Sequence, residues 1–184
     1  MSDLKLYMIL LGCKPKGRFT EQHDIFFGIG ESMAALKPAM QEFWKDAGTL
    51  HIDAWREVNF VDGYRINVRD KKNDPAKSHQ LFFINLGGYK INEFEEFHYK
   101  MVTVAEDSGI AVRNSKNTAF YKHTGFEGAT SHVDDKYGID VDDIVNIDEI
   151  LSSQYTDKYH LEIIPSETSE QDTIHLGYIK WEKI

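Results

Sequence analysis

Only one cysteine, four prolines and no long apolar run occur in these 184 residues. A lone Cys13 cannot close an internal disulfide, so the fold must rest on its core, and such a chain suits a reducing cytoplasm. The first apolar stretch, Leu6 to Leu11, is far too short to span a bilayer, and no basic segment with a long apolar sequel precedes it. A cytoplasmic protein with no membrane partner is expected. Positive charge is also scarce: 21 Lys and Arg stand against 30 Asp and Glu, a net charge of −9. Residues 1–79 carry 12 basic and 11 acidic side chains, or +1, whereas residues 80–184 carry 9 and 19, or −10. An acidic second half repels nucleic acid, and no long basic stripe offsets it, so no nucleic-acid partner is expected.

What remains is ordinary for a globular chain, with 41% apolar and 12% aromatic residues. A chain of this length can bury a real core as one domain or two small ones. Its main internal feature is a repeat. At a shift of 75 positions, Leu6 meets Leu81, Ile9 meets Ile84, Leu11 meets Leu86 and Gly12 meets Gly87. Phe19 then meets Phe94, Glu21 meets Glu96 and His23 meets His98. These seven identities fall within 18 positions (6–23), where ordinary residue usage gives about one by chance. Further along, Phe43-Trp44-Lys45 matches Phe120-Tyr121-Lys122 at a shift of 77, and Gly63 and Ile66 match Gly138 and Val141 at 75. Duplicated units commonly pack about a pseudo-twofold axis.

Apolar alternation and turn residues predict strands over 4–11, 21–30, 50–58 and 64–68, with a helix between the second and third. Met33, Leu36, Met40, Phe43 and Trp44 recur at helical spacing, and Pro38 requires that helix to kink or start late. The second copy repeats the order, with strands at 80–87 and about 97–105, a helix at about 108–122, and strands near 129–133 and 137–141. Residues 142–151 read as a short helix. Residues 159–165 and 173–181 read as a hairpin joined by a polar loop, placed to extend a sheet or cover its edge. The expected fold is α+β: two pseudo-symmetric ββαββ repeats forming a mixed or mostly antiparallel sheet, helices on one face, plus the C-terminal hairpin. The expected boundaries are 1–70 for the first repeat, 71–79 for a linker, 80–151 for the second repeat and 152–184 for the extension, all in one compact domain.

The run Leu10-Leu11-Gly12-Cys13-Lys14-Pro15-Lys16-Gly17-Arg18, with Glu21-x-His23-Asp24-x-x-Phe27, resembles a bacterial family known as domain of unknown function 1543. His51-Ile52-Asp53-x-Trp55 and Val61-Asp62-Gly63-Tyr64 fit the same resemblance, which covers residues 4–70 best. It implies no activity, cofactor or catalytic residue.

Two candidate sites stand out. The first is the duplicated Glu-x-His. Residues i and i+2 of a strand share a face, so Glu21 with His23, and Glu96 with His98, each present an oxygen and a nitrogen donor side by side. Two such pairs about a pseudo-twofold axis could together hold Zn²⁺ or Fe²⁺ with two Glu and two His, with His51 or Asp53 joining, and an open position would activate a water for hydrolysis. Structural pairing with neighbouring groups is the simpler account of the same residues. The second site is the loop after the first strand. Gly12 allows a close turn, and Lys14, Lys16 and Arg18 put three cations within five residues, which suits a small anionic ligand. It lacks the Gly-Lys-Ser/Thr of a phosphate-binding loop, and a solvated turn is the simpler account here too.

Cys13 with His23 as base is a third, weaker arrangement. The aspartates at 134, 135, 140, 142, 143 and 148, with Glu149, lack the spacing of a calcium loop and read as a solvated acidic face. No complete catalytic constellation is visible. The reading preferred from the sequence is therefore a non-enzymatic module for a small anion or a partner protein, with a metal-dependent hydrolase as the alternative and a homo-oligomer left open.

Overall fold

In the computed structural model, residues 4–71, 78–89, 92–115, 140–168 and 170–184 are described. Strand β1 (Lys5–Cys13) pairs antiparallel with β2 (Gln22–Gly30) on one side and with β3 (Leu50–Glu57) on the other. Its alternation puts Tyr7, Ile9, Leu11 and Cys13 on one face, where all four are buried. The helix α1 (Lys37–Phe43) packs on this face. Leu36, in the 3-10 turn that leads into it, lies against Gly28 and Gly30, and Phe43 meets Phe26 edge-on at 5.6 Å. Pro38 sits in the first turn of α1, where a missing N–H costs nothing, so the helix starts late as expected.

A two-residue turn, Asp62-Gly63, joins β4 (Phe60–Val61) to β5 (Tyr64–Asp70); both turn residues take positive φ, 52° and 80°, the geometry of a tight hairpin. The next strand, β6 (Gln80–Tyr89), is central in a sheet of order β7-β6-β8, with β7 at Glu96–Ala105 and β8 at Asp140–Asn146. Helix α2 (Ser108–Ser115) packs on the face carrying Phe82, Ile84 and Leu86. Short helices α3 (Ile147–Ile150) and α4 (Ser153–Thr156) lead to β9 (Tyr159–Pro165) and β10 (His175–Lys180).

The chain divides into two compact units. Residues 1–75 with 151–184 form unit 1, and residues 76–150 form unit 2. The C-terminal extension thus packs with the first seventy-five residues. The architecture is mixed α+β with antiparallel pairing throughout the described strands.

Three expectations need correction. The C-terminal strands form but make no hairpin: β9 pairs with β5, and β10 pairs with β3 in the other sheet of unit 1. Each strand closes an edge that would otherwise lack partners. The segment between them is long enough to cross over, and it is pinned where the Asp172 carboxylate accepts the backbone N–H groups of Asn59 and Phe60 at 3.0–3.2 Å. Residues 142–146 are strand, not helix. A bulge at Asp142 breaks the period of two, so Val141 and Ile144, three apart, both face the core and imitate helical spacing. The match of Ile66 with Val141 also fails, because Val141 pairs with Leu86 of β6 as Ile52 pairs with Leu11 of β1. Residues 72–77 of the linker expected at 71–79, the end of the second helix with Phe120-Tyr121-Lys122, Asp134, Asp135 and Gly138, the strand expected near 129–133 and residues 137–139 of that expected near 137–141 lie outside the described residues.

One buried group gives a pH dependence. Tyr155 in α4 is almost fully enclosed, and burial holds its phenol above the usual range near 10. The neutral form is the one favoured by folding. Stability from this group is therefore complete below about pH 10 and declines as pH rises toward the raised folded value. Tyr155→Phe is expected to keep neutral-pH stability and flatten this alkaline decline in denaturant titrations at pH 8 to 11; an unchanged decline would exclude Tyr155 as its source.

Candidate metal centre

Gly12 of β1 lies opposite His23 of β2 and His51 of β3. Paired residues share a face, so both imidazoles stand over Gly12, on the side of the sheet away from α1. Glu21, two residues before His23, joins them: one donor atom from each of Glu21, His23 and His51 lies within 4.8 Å of the others. The fourth group comes from a bulge. Between Leu10 and Leu11 the register with β3 shifts, and Asp53 is the extra residue. Its Oδ2 lies 3.2 Å from His23 Nε2 and 3.2 Å from His51 Nε2.

Space for this cluster exists only because residue 12 is glycine. A Cβ there would stand 2.5 Å from Asp53 Oδ2 and collide with His51 Nε2. His51 is only 4% exposed, and neither its Nε2 nor Asp53 Oδ2 makes a hydrogen bond; the two approach closely without the alignment one requires. Buried polar atoms left so are costly. The other side is open, since the His23 side chain is 39% exposed. Strand β10 adds a flank, the Tyr178 ring lying 4.5 Å from the ring of His51; on the opposite face, where Trp55 pairs with Ile9, His175 stacks on Trp55 at 4.0 Å.

Unit 2 has a related arrangement. Gly87 lies opposite His98 of β7 and Asp140 of β8, and Asp142 is the bulged residue between Asn85 and Leu86. His98 Nε2 is 3.4 Å from Asp142 Oδ2 and 3.9 Å from Glu96 Oε2. A Cβ on Gly87 would lie 2.7 Å from the Asp142 Cγ. Each Glu-x-His pair thus gathers further donors within its own unit. Asp142 is exposed, as expected of a solvated acidic face, and in addition approaches His98. Its signal in the sequence was weak, because only the bulge brings it to the face of His98.

The other candidates fare differently. Cys13 follows Gly12 and so projects to the opposite face, into a core of Ala47, Leu50, Trp44 and Trp181. Burial raises its pKa, and the charge of Glu21 adds to this, the reverse of what a nucleophilic thiolate needs. A Cys13–His23 dyad is excluded by the strand alternation. Lys14, Lys16 and Arg18 are exposed on a turn closed by the Arg18 N–H donating to the Pro15 carbonyl at 3.2 Å. Gly12 is not part of that loop; it lies inside β1, and its closeness serves His51 and Asp53.

Residues 18–68 match the family model of a domain of unknown function, DUF1543. The DUF1543 segment contains Glu21, His23, His51 and Asp53, and the resemblance read from this stretch of sequence is borne out by the match. Among solved structures, the chain is similar to the crystal structure of protein Il1583 from Idiomarina loihiensis, at 21% identity over 97% of each chain with a TM-score of 0.65. That likeness concerns the fold. No curated protein matches the chain. Among the described residues, no helix is long and apolar enough to cross a membrane.

Proposed function

We propose that this protein binds one divalent transition-metal ion, Zn²⁺ or Fe²⁺, through Glu21, His23, His51 and Asp53. The observation that carries the reading is the convergence of two imidazoles and a carboxylate over Gly12, with a buried His51 nitrogen lacking a hydrogen bond. Donors around a tetrahedral ion with bonds of about 2.0–2.1 Å stand about 3.3 Å apart, close to the 3.2 Å separations here. Imidazole and carboxylate together suit zinc and iron. Elemental analysis of untagged protein is expected to find one such ion per chain, lost in His23→Ala. Protein that is metal-free and takes up no added zinc would sink the proposal.

A hydrolytic role follows from the open side of the cluster. An ion that holds three of the four side chains, or expands to five-coordinate, keeps a position for water, which it would acidify. Turnover of esters, phosphoesters or amides that stops on chelation would support this; a metal-loaded protein inert to all three is a binding module instead. The anion site at Lys14, Lys16 and Arg18 is a separate reading, favoured by three exposed cations on one turn. Stabilisation by sugar phosphates or nucleotides, absent in a triple alanine variant, is its test.

We further read the two units as copies of one supersecondary element in a cytoplasmic protein. The spacing of 75 between Gly12, Glu21 and His23 and their counterparts supports this, as does the bulged aspartate that each third strand carries.

A further inference from the structure

We infer that His51 is the residue that fixes the ion preference, and that only unit 1 retains a transition metal tightly. This rests on the reading of unit 1 as a metal centre and goes beyond it to stoichiometry and selectivity. The two clusters are built alike except at one place. Opposite the cradle glycine, on the third strand, unit 1 has His51 and unit 2 has Asp140. Unit 1 therefore gathers two imidazoles with Glu21 and Asp53, whereas unit 2 gathers one imidazole with Glu96 and Asp142.

Donor type and burial act in the same direction. Imidazole favours zinc, iron and nickel, whereas carboxylates alone favour manganese, magnesium and calcium. The His51 side chain is 6% exposed, and its Nε2 lies at the cluster with no hydrogen bond to give up when an ion arrives. In unit 2 the side chains of Glu96, His98 and Asp142 are 40%, 36% and 30% exposed, so water competes at every donor. A ring already fixed by packing against Tyr178 also loses less freedom on binding than a side chain at the surface.

The test uses the full chain and three proteins: wild type, His51→Asp and Asp140→His. Zinc affinity is read by competition with a chromophoric chelator, retained zinc by elemental analysis after dialysis, and Mn²⁺ affinity by titration. Wild type is expected to retain one zinc. His51→Asp should lose zinc affinity by about 100-fold or more, with a much smaller change for Mn²⁺, since losing a ligand exceeds the 10–100-fold typical of an outer-shell change. Asp140→His should retain two. Asp140→His alters unit 2 only, so it decides the matter even where His51→Asp fails to fold. Two zinc ions retained by wild type, unchanged zinc affinity in folded His51→Asp, or a single zinc in Asp140→His would each overturn the inference while leaving the metal reading intact. No zinc retained by wild type would overturn both.

Discussion

Gly12→Ala is expected to abolish zinc retention while leaving the protein folded. The added methyl carbon would stand 2.5 Å from Asp53 Oδ2 and overlap His51 Nε2, in the space where the donors converge. It need not remove any ligand to act; it takes the place of the ion and pushes two donors apart. Overpacking of this kind costs about 1–3 kcal/mol, which a domain of ordinary stability survives. The cost falls at the low end if Asp53, 26% exposed and on a bulge, swings outward. The matched variant Gly87→Ala crowds Asp142 in unit 2 and should leave zinc retention unchanged. The pair separates a metal effect from a general effect of glycine replacement in a strand. Full zinc retention by folded Gly12→Ala would mean that the donors do not surround an ion at this point.

The core of this arrangement was legible in the sequence because strand alternation is a strong constraint. Glu21 and His23 share a face by spacing alone; Gly12 and Cys13 read as loop, because the apolar run ends at Leu11, and only the extension of β1 to Cys13 turns Gly12 to the site and Cys13 to the core. What alternation cannot supply is the partner across the sheet. That His51 sits opposite Gly12 follows from register, which depends on the whole of β1 and β3. Asp53 and Asp142 were harder still, since each reaches its histidine only through a bulge that local sequence does not announce. The same bulge disguised β8 as a helix. The C-terminal strands were visible as strands, but their partners were not: pairing β10 with β3 joins positions more than a hundred residues apart, and the nearer, hairpin pairing loses to two open edges. The cations at Lys14, Lys16 and Arg18 read from sequence as a site because they are close along the chain; on the folded turn they are simply exposed.

Zinc is expected to stabilise unit 1 and not unit 2, and the tryptophans make this measurable. Trp44, Trp55 and Trp181 are the three tryptophans of the chain, and all belong to unit 1. Trp55 lies two residues from Asp53 and stacks on His175, so its emission reports on the strand that carries two of the donors. An ion that binds only the folded state adds RT ln(1 + [L]/Kd), about 2.7 kcal/mol at a concentration of 100 Kd. For a chain of this size each kcal/mol moves the midpoint by about 2–4 °C, so the tryptophan-detected midpoint should rise by about 5–11 °C. His23→Ala should show no rise. Far-ultraviolet circular dichroism sees the strands of both units. If the units melt independently, its trace should separate into one component that zinc shifts and one that it does not, so that no single midpoint describes the chain. A tryptophan-detected midpoint that ignores saturating zinc, or moves as far in His23→Ala as in wild type, would refute binding at this cluster. An equal shift in both components has a different meaning: the units then unfold as one, and the ion held by four side chains of unit 1 stabilises residues 76–150 through the cooperativity of the fold.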